Sequence, residues 1–543
     1  MKFGPCPASD AAGAYLAHSV KVSGRVFKKG RLLTTEDSAR LTDSGINTVI
    51  VATLEEDDVH EDEAARRLSE ALLGPALKTS AAFTGRVNLF ASKPGVVVVD
   101  KKKIDQINRV HESITVATLP EYEAVDARQM AATVKIIPFA APESAVIEAE
   151  ELAKKGSAAI QVAPYTHKTA VLIQSTLATI KTSVLNKTVD ITAARLEDTG
   201  CTLIREIRCN HNAEAISAAI KEAGEHKPDI FLIAGASAIC DRSDALPKGI
   251  ELAGGEIQHF GMPVDPGNLI LFATLTEKLV IGLPGCARSP KLNGFDWALQ
   301  RFAANIPLKP DDVKGMGVGG LLAEISARPL PREQATRRGQ VKPQAPKVAA
   351  VVLAAGQSRR MGSANKLLEV VDGKPMVVHA VEAALAADTI SVTVVVGHQS
   401  DEVKKVLLNK DVNFVENPDY DEGLSTSLRA AAKNLNEQAD ALVVLLGDMP
   451  QVNASHIDRL IAGFNPTEGR SICVPTHDGK RGNPVLWASS FAKQMADLRG
   501  DVGAKHLIGQ NEESVSEIEM SDPAILRDID TPEALKAIRS EAI

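Results

Sequence analysis

Two adjoining stretches set the main division of the chain. From Pro331 to Lys347 it reads PREQATRRGQVKPQAPK, nearly free of apolar side chains, with three prolines and five basic residues. Directly afterwards comes VAAVVLAAG, an unbroken apolar run with β-branched residues that ends on Gly356. The first stretch has almost nothing to bury and reads as a solvated linker. The second buries both faces at once, which places it inside a parallel sheet, running into a loop.

The remainder fits that division. A chain of 543 residues is too long for one core, so about two to four domains are expected. We divide it into an N-terminal accessory region (1–165), an α/β domain (166–330), the linker (331–347) and a second α/β domain (348–543). After the linker, helix and strand patterns alternate. PMVVHAVEAALAAD is helical, with Val377, Val381 and Leu385 spaced for one face. SVTVVVG and ALVVLLGD are strands. Alternation of this kind predicts a doubly wound, Rossmann-like sheet. Before the linker, TAVLIQST, DIFLIAG and KLVIGLPG read as strands, and DITAARLEDTGC as a helix ended by Gly200. Residues 1–165 hold mixed short patterns such as KPGVVVVDKKK.

Composition excludes some classes. A net charge of -8 and 3% aromatic residues lack the basic footprint and stacking platforms of a nucleic-acid binder. No apolar run reaches the ~20 residues of a membrane span. The six cysteines show no Cys-x-x-Cys spacing and read as reduced thiols, so a soluble cytoplasmic protein is expected.

The loop after the apolar run reads Leu353-Ala354-Ala355-Gly356-Gln357-Ser358-Arg359-Arg360-Met361-Gly362-Ser363-Ala364-Asn365-Lys366. Small residues let backbone N–H groups approach a triphosphate, and Arg360 and Lys366 supply positive charge. An Arg grips phosphate in bidentate fashion, and a Lys acts as a point charge. The pattern is not a Walker A loop. Asp448, in LLGDMP, lies at the C-terminal end of a parallel strand, where open α/β sheets bind ligands. Asp530, in DIDTPEAL, is a second carboxylate. Two carboxylates converging on Mg²⁺ would bridge it to nucleotide phosphates. The plain alternative for either is a helix cap, and Pro532-Glu533 does look like a helix start.

Taken together, LAAGQSRRMGSANKLL, NPDYDEGLSTSLRAA, LLGDMP, RGNPVLW, GDVGAKHLI and DIDTPEAL resemble the nucleotidyltransferases that act on molybdopterin. The closer resemblance is to the molybdenum cofactor cytidylyltransferase branch. The guanylyltransferase branch has LAGG at the turn where this chain has Ala354-Ala355-Gly356, which favours CTP. The resemblance implies nucleotide binding by Leu353, Ala354, Ala355, Gly356, Ser358, Gly362 and Lys366, and Mg²⁺ binding by Asp448 and Asp530. It implies that Glu422–Ser427, with Ser425 and Ser427, lie by the base or the pterin, and that Arg481, Gly482 and Asn483 face the acceptor. Family members often carry His in the slot of Asn483. Asp501 and Lys505 are further contacts, though Asp501 also suits a helix cap.

Before the linker, AGASAICDRSDALPKGIELAGGEIQHFGMPVDPGNLILF and GLPGCARSP resemble the molybdopterin-binding domain of molybdenum cofactor biosynthesis proteins. The implied pocket uses Gly235, Ser237, Asp241, Pro284 and Gly285. Molybdate-inserting members have Gly-Gly where this chain has Gly235-Ala236, and Pro-Gly-Asn-Pro where it has Pro284-Gly285-Cys286-Ala287. Binding or delivery of the pterin is therefore favoured over molybdate insertion. No strand pattern precedes Gly315–Gly320, so that run is read as a structural turn. The expected activity is CMP transfer from CTP to molybdopterin, with pyrophosphate released. Molybdenum hydroxylases or their chaperones would receive the product, and no nucleic-acid or membrane partner is expected. The competing readings are transfer from GTP, transfer to a sugar phosphate, or a non-catalytic cofactor carrier.

Overall fold

The computed structural model describes residues 1–23, 25–322, 344–357, 365–498 and 504–541. Most of the linker, with Ser358, Arg359, Arg360, Met361, Gly362 and Asp501, lies outside them. No helix among the described residues is long and apolar enough to cross a membrane.

The apolar run forms the strand Val348–Ala354, buried along its whole length. It pairs in parallel with Ser391–Val396 on one side and Ala441–Leu446 on the other. Asn413–Glu416 adds a fourth parallel strand beyond Ser391–Val396. The chain therefore builds outward one way from Val348–Ala354 and then returns to build the other way, leaving a switch point between Val348–Ala354 and Ala441–Leu446. In doubly wound sheets the strand ends at such a point leave a crevice for ligands. The far half is mixed: Val485–Ala488 runs antiparallel to Ala441–Leu446 and pairs with Ile472–His477, which also takes Val515–Glu519 in parallel. A hairpin turns back through Asp478 and Gly479, both at positive φ, in the Asp-Gly pair that such a turn favours.

The helix Met376–Ala386 buries Val377 and Val381 as its spacing predicts. Leu385 does not follow and is 37% exposed. Eight residues along a helix rotate the side chain by about 80°, off the covered face.

Residues 169–283 form a second sheet in the order Thr202–Asn210, Thr169–Thr176, Ile230–Ala234, Lys278–Leu283, Leu271–Leu275, Glu256–Phe260. The first four strands are parallel and the last two antiparallel. The helix Thr182–Asp198 stops before Gly200, at φ 71°. The run Gly315–Gly317 is a short 3-10 turn.

Residues 1–165 hold two larger cores and a small third cluster of Ala17, Ala52 and Phe139. The antiparallel strands Lys2–Pro7, Thr48–Thr53 and Tyr15–Leu16 enclose Leu16, Leu33, Leu41 and Val51. A second core gathers Leu68, Leu72, Leu89 and Ile136 under further antiparallel strands. KPGVVVVDKKK is split between the strand Gly95–Val99 and the helix Lys101–Ile107, capped by Asp100.

A solvated linker predicts few contacts between its two sides, and here the structure differs. Arg128 donates to Asp388 at 3.0 Å and to the Pro346 carbonyl at 2.8 Å. Asp62 meets Arg459 at 3.4 Å, and Lys28 donates to the Val515 carbonyl. Phe83 packs on the C-terminal core, with the Arg470 guanidinium over its ring. The physical reason lies outside the linker: residues 1–165 present an aromatic ring and charges that complement the far half of the C-terminal sheet, the helix Ala454–Gly463 and the turn before Ser391–Val396. Phe83→Ala should therefore destabilise the C-terminal domain of the intact chain by roughly 2 kcal/mol, below the ~3–5 kcal/mol of a fully buried ring. Urea unfolding read on that domain checks this, and the separated fragment 347–543 should unfold at lower urea than the same domain in the whole chain.

Candidate active site

The site is assembled from three distant parts of the chain. Lys366 opens the short turn Lys366–Leu368 that closes the loop after the first strand. Its neighbour Asn365 accepts the Leu367 N–H at 3.1 Å and so fixes the turn. Asp448 follows Ala441–Leu446 by way of Gly447, whose N–H donates to the Leu353 carbonyl at 3.0 Å. A Cβ at Gly447 would meet that same oxygen at 3.0 Å, so glycine permits the two strand ends to lie this close. The Asp448 carbonyl accepts the Ile529 N–H at 3.0 Å, which brings Asp530 alongside. The helix that follows has a cap in Thr531, which accepts the Ala534 N–H at 3.2 Å through its hydroxyl, and the Asp530 carboxylate is turned to Lys366.

The Lys366 ammonium lies 2.5 Å from Asp448 Oδ2 and 2.5 Å from Asp530 Oδ1. Burial alone would push its pKa down, but two carboxylates in contact outweigh that and the net shift is upward. The lysine stays charged at neutral pH. Asp448 Oδ1 is buried and has no hydrogen-bond partner among the described residues. An ionised oxygen left so is costly and marks a place where a cation fits. Among the described residues no cluster of three or more potential metal ligands occurs. A divalent ion held here would take Asp448 and Asp530 and complete its oxygen shell with phosphate and water, the usual arrangement for Mg²⁺.

These groups face a cavity of about 560 Å³ at the switch point, within the size range of small-molecule sites. Leu353, Ala355, Gly356, Lys366, Asp448, Asp530 and Ser427, all singled out in the sequence, line it. Ala354 is buried in the strand. Gln357 of the same loop and Glu422, Gly423 and Leu424 of the stretch Glu422–Ser427 also line the cavity, as do Tyr420 and Asp421, which sequence reasoning did not single out. The helix Leu424–Lys433 forms one wall, and its start at Gly423 has φ 114° and no side-chain cap. Ser425 is buried in that helix, does not line the cavity, and its hydroxyl has no partner among the described residues.

Arg481 and Asn483 are not brought to the cavity. Arg481 is clamped by Glu512 at 2.9 Å and Glu517 at 2.7 Å on the outer hairpin. Asn483 donates its N–H to the Ile525 carbonyl at 3.0 Å. Two strongly held carboxylates account for Arg481, and a charge pattern alone does not reveal which partners it will find. Lys505 starts the helix Lys505–Gln510, also away from the cavity lining.

In the other α/β domain, Gly235 and Pro284-Gly285 follow strands registered side by side, Ala234 opposite Leu283. The Arg288 guanidinium donates to the Gly235 carbonyl at 2.8 Å, joining the two loops. Ser237 meets His211 Nε2 at 3.0 Å, and His211 Nδ1 meets Ser175 at 2.8 Å. Asp241 stands apart, exposed, accepting the Ser243 N–H at 2.7 Å.

Residues 350–515 match the family model described as the MobA-like NTP transferase domain. The C-terminal unit is a nucleotidyltransferase domain. Residues 5–53 match a model described only as a domain of unknown function. Among curated proteins, the bifunctional protein GlmU of Stutzerimonas stutzeri is 32% identical over 155 residues, 28% of this chain and 32% of that protein. GlmU of Shouchella clausii is 36% identical over 129 residues, 24% of this chain and 28% of that protein. The chain thus spans about a third or less of the length of these relatives. Among solved structures, the homologue of Mycobacterium tuberculosis Rv0371c from Mycobacterium sp. strain JC1 is 28% identical. It is covered over 96% of its own chain and 36% of this one, with a TM-score of 0.32. A nucleotidyl transferase from Methanothermobacter is 24% identical, covered over 97% of its chain and 36% of this one, at 0.33.

The paired carboxylates and the ammonium between them generate a prediction for the nucleotide-free protein. Lys366 occupies the ground a divalent cation would take, so Lys366→Met should tighten Mn²⁺ binding, while Asp448→Asn should weaken it by roughly 10-fold or more. Mn²⁺ titration followed by electron paramagnetic resonance reads both. Unchanged affinity in the two variants would remove the metal assignment.

Proposed function

We propose that the chain is a molybdenum cofactor cytidylyltransferase, moving CMP from CTP to molybdopterin or its molybdenum form and releasing pyrophosphate. Nucleotidyl transfer rests on one observation above the others: Lys366, Asp448 and Asp530 meet at the switch-point cavity, with Asp448 Oδ1 buried and without a partner among the described residues. The choice of CTP rests on Ala354-Ala355-Gly356 at the turn, and the choice of acceptor on the sequence resemblance of both halves.

In this reading the terminal phosphate of the pterin attacks the α-phosphorus of CTP. A new P–O bond forms there as the bond to the β-phosphate oxygen breaks, and its electrons leave with pyrophosphate. The acceptor is already anionic, so no strong general base is needed. Bound Mg²⁺ would neutralise charge on the phosphates. Lys366, drawn off its carboxylates by the triphosphate, would hold phosphate oxygens, and Arg360 in the same loop would add a second cation. Asp448 and Asp530 would hold the metal. Gly235, Ser237, Pro284 and Gly285 would bind the pterin for delivery.

A sugar-phosphate acceptor is the second reading, favoured by the matches of the nucleotidyltransferase part to bifunctional GlmU proteins. The deciding experiment measures pyrophosphate release with CTP and with GTP, with and without molybdopterin. Release should require molybdopterin and be faster with CTP. Release with a sugar phosphate but not with the pterin would replace the first reading by the second. Asp448→Asn should lower the rate by roughly 100-fold or more at ordinary Mg²⁺, and near-normal turnover in that variant would sink the proposed site.

A further inference from the structure

We infer that Asn417 is a positioning residue, which fixes the hydroxyl of Ser427 as a hydrogen-bond donor to a carbonyl of the nucleobase; this rests on the nucleotide reading of the cavity. Asn417 follows the strand Asn413–Glu416, and its N–H donates to the Val396 carbonyl at 2.8 Å. It is 3% exposed. Its side-chain orientation is decided by the backbone. Asn417 Oδ1 accepts the Asp419 N–H at 3.2 Å, and a backbone N–H needs an acceptor, so the amide cannot be turned over.

Nδ2 then donates both its protons, to Thr426 Oγ1 at 2.8 Å and to Ser427 Oγ at 3.0 Å. Thr426 passes its own proton to the Gly423 carbonyl at 2.8 Å. Ser427 Oγ has accepted one bond and still holds a proton, with no acceptor for it among the described residues. Ser427 lines the cavity. The direction of the chain is thereby set: amide to hydroxyl to ligand. Every group in it is neutral, which suits an uncharged acceptor such as a ring carbonyl. The phosphates have Lys366.

The sequence shows the Asn and the two hydroxyls but not the direction of their bonds. Reversing that direction is the test. Asn417→Asp keeps the acceptor for Asp419 and the side-chain shape, but turns the donor of Thr426 and Ser427 into an acceptor, so that Ser427 donates inward. Ser427→Ala removes the hydroxyl. Calorimetric titration with CTP, and with tripolyphosphate as a probe that has no base, separates base from phosphate binding.

Ser427→Ala should weaken CTP binding by roughly 3- to 10-fold and leave tripolyphosphate unchanged. Asn417→Asp should weaken CTP by a similar factor, and the double variant should lose no more than either alone. Losses that multiply in the double variant would assign the effect of Asn417→Asp to its added charge and overturn the inference. So would unaltered CTP affinity in Ser427→Ala, or an equal loss for tripolyphosphate. If Asn417→Asp does not fold, Ser427→Ala with the two probes decides. A wild-type chain that binds neither probe removes the nucleotide reading itself. One that binds CTP with no contribution from Ser427 removes only the role given to Asn417.

Discussion

The contact on which the C-terminal domain depends is the ammonium of Lys366 shared between Asp448 and Asp530. It joins the loop after the first strand, the end of the strand Ala441–Leu446 and the entry to the last helix. Lys366 and Asp448 are largely withdrawn from water and Asp530 is more open to it, so the lysine offsets a buried carboxylate that would be expensive without a partner. The backbone supports the arrangement. Gly447 lets two strand ends meet, Ile529 anchors beside Asp448, and Thr531 caps the helix so that Asp530 need not. Net charge at the centre is negative, and it is a charge distribution that a divalent cation and a polyphosphate would complete together.

Much of this was readable before any coordinates. An apolar run ending in small residues specifies a central strand and its loop, because both faces of that strand must be covered. Asp448 was placed by the same logic, through its position at a strand end. Other features are set by tertiary partners and have no local signal. Leu385 has the chemistry of a core residue but sits past the covered arc. Arg481 has the chemistry of an acceptor-binding residue, yet Glu512 and Glu517 hold it on the outer hairpin. Asn417 gave no sign, since an Asn before a Pro reads as a turn; its importance lies in which hydroxyls happen to face it. The mixed far half of the sheet did have a signal in Asp478-Gly479, the hairpin pair between two strand patterns.

The accessory region reads differently once its contacts are known. Mixed short patterns reflect small antiparallel sheets with two larger, separate cores. Such sheets offer weak periodicity, and their stability comes partly from what they pack against. Phe83 on one side and Arg301 over the Tyr122 ring on the other show that region holding both α/β domains. It serves as a shared platform, where the linker composition suggested independent units.

The ends of the connecting segment repay attention in this light. Leu322 donates its N–H to the Asp265 carbonyl, and Ala345 donates its N–H to the Arg128 carbonyl. The first end is therefore held by the domain the chain leaves, and the second by residues 1–165 rather than by the domain it enters. The contacts of Arg128 with Asp388, of Asp62 with Arg459, of Lys28 with the Val515 carbonyl and of Phe83 with the C-terminal core do not run through that segment, so its composition says nothing of how much surface the two sides share.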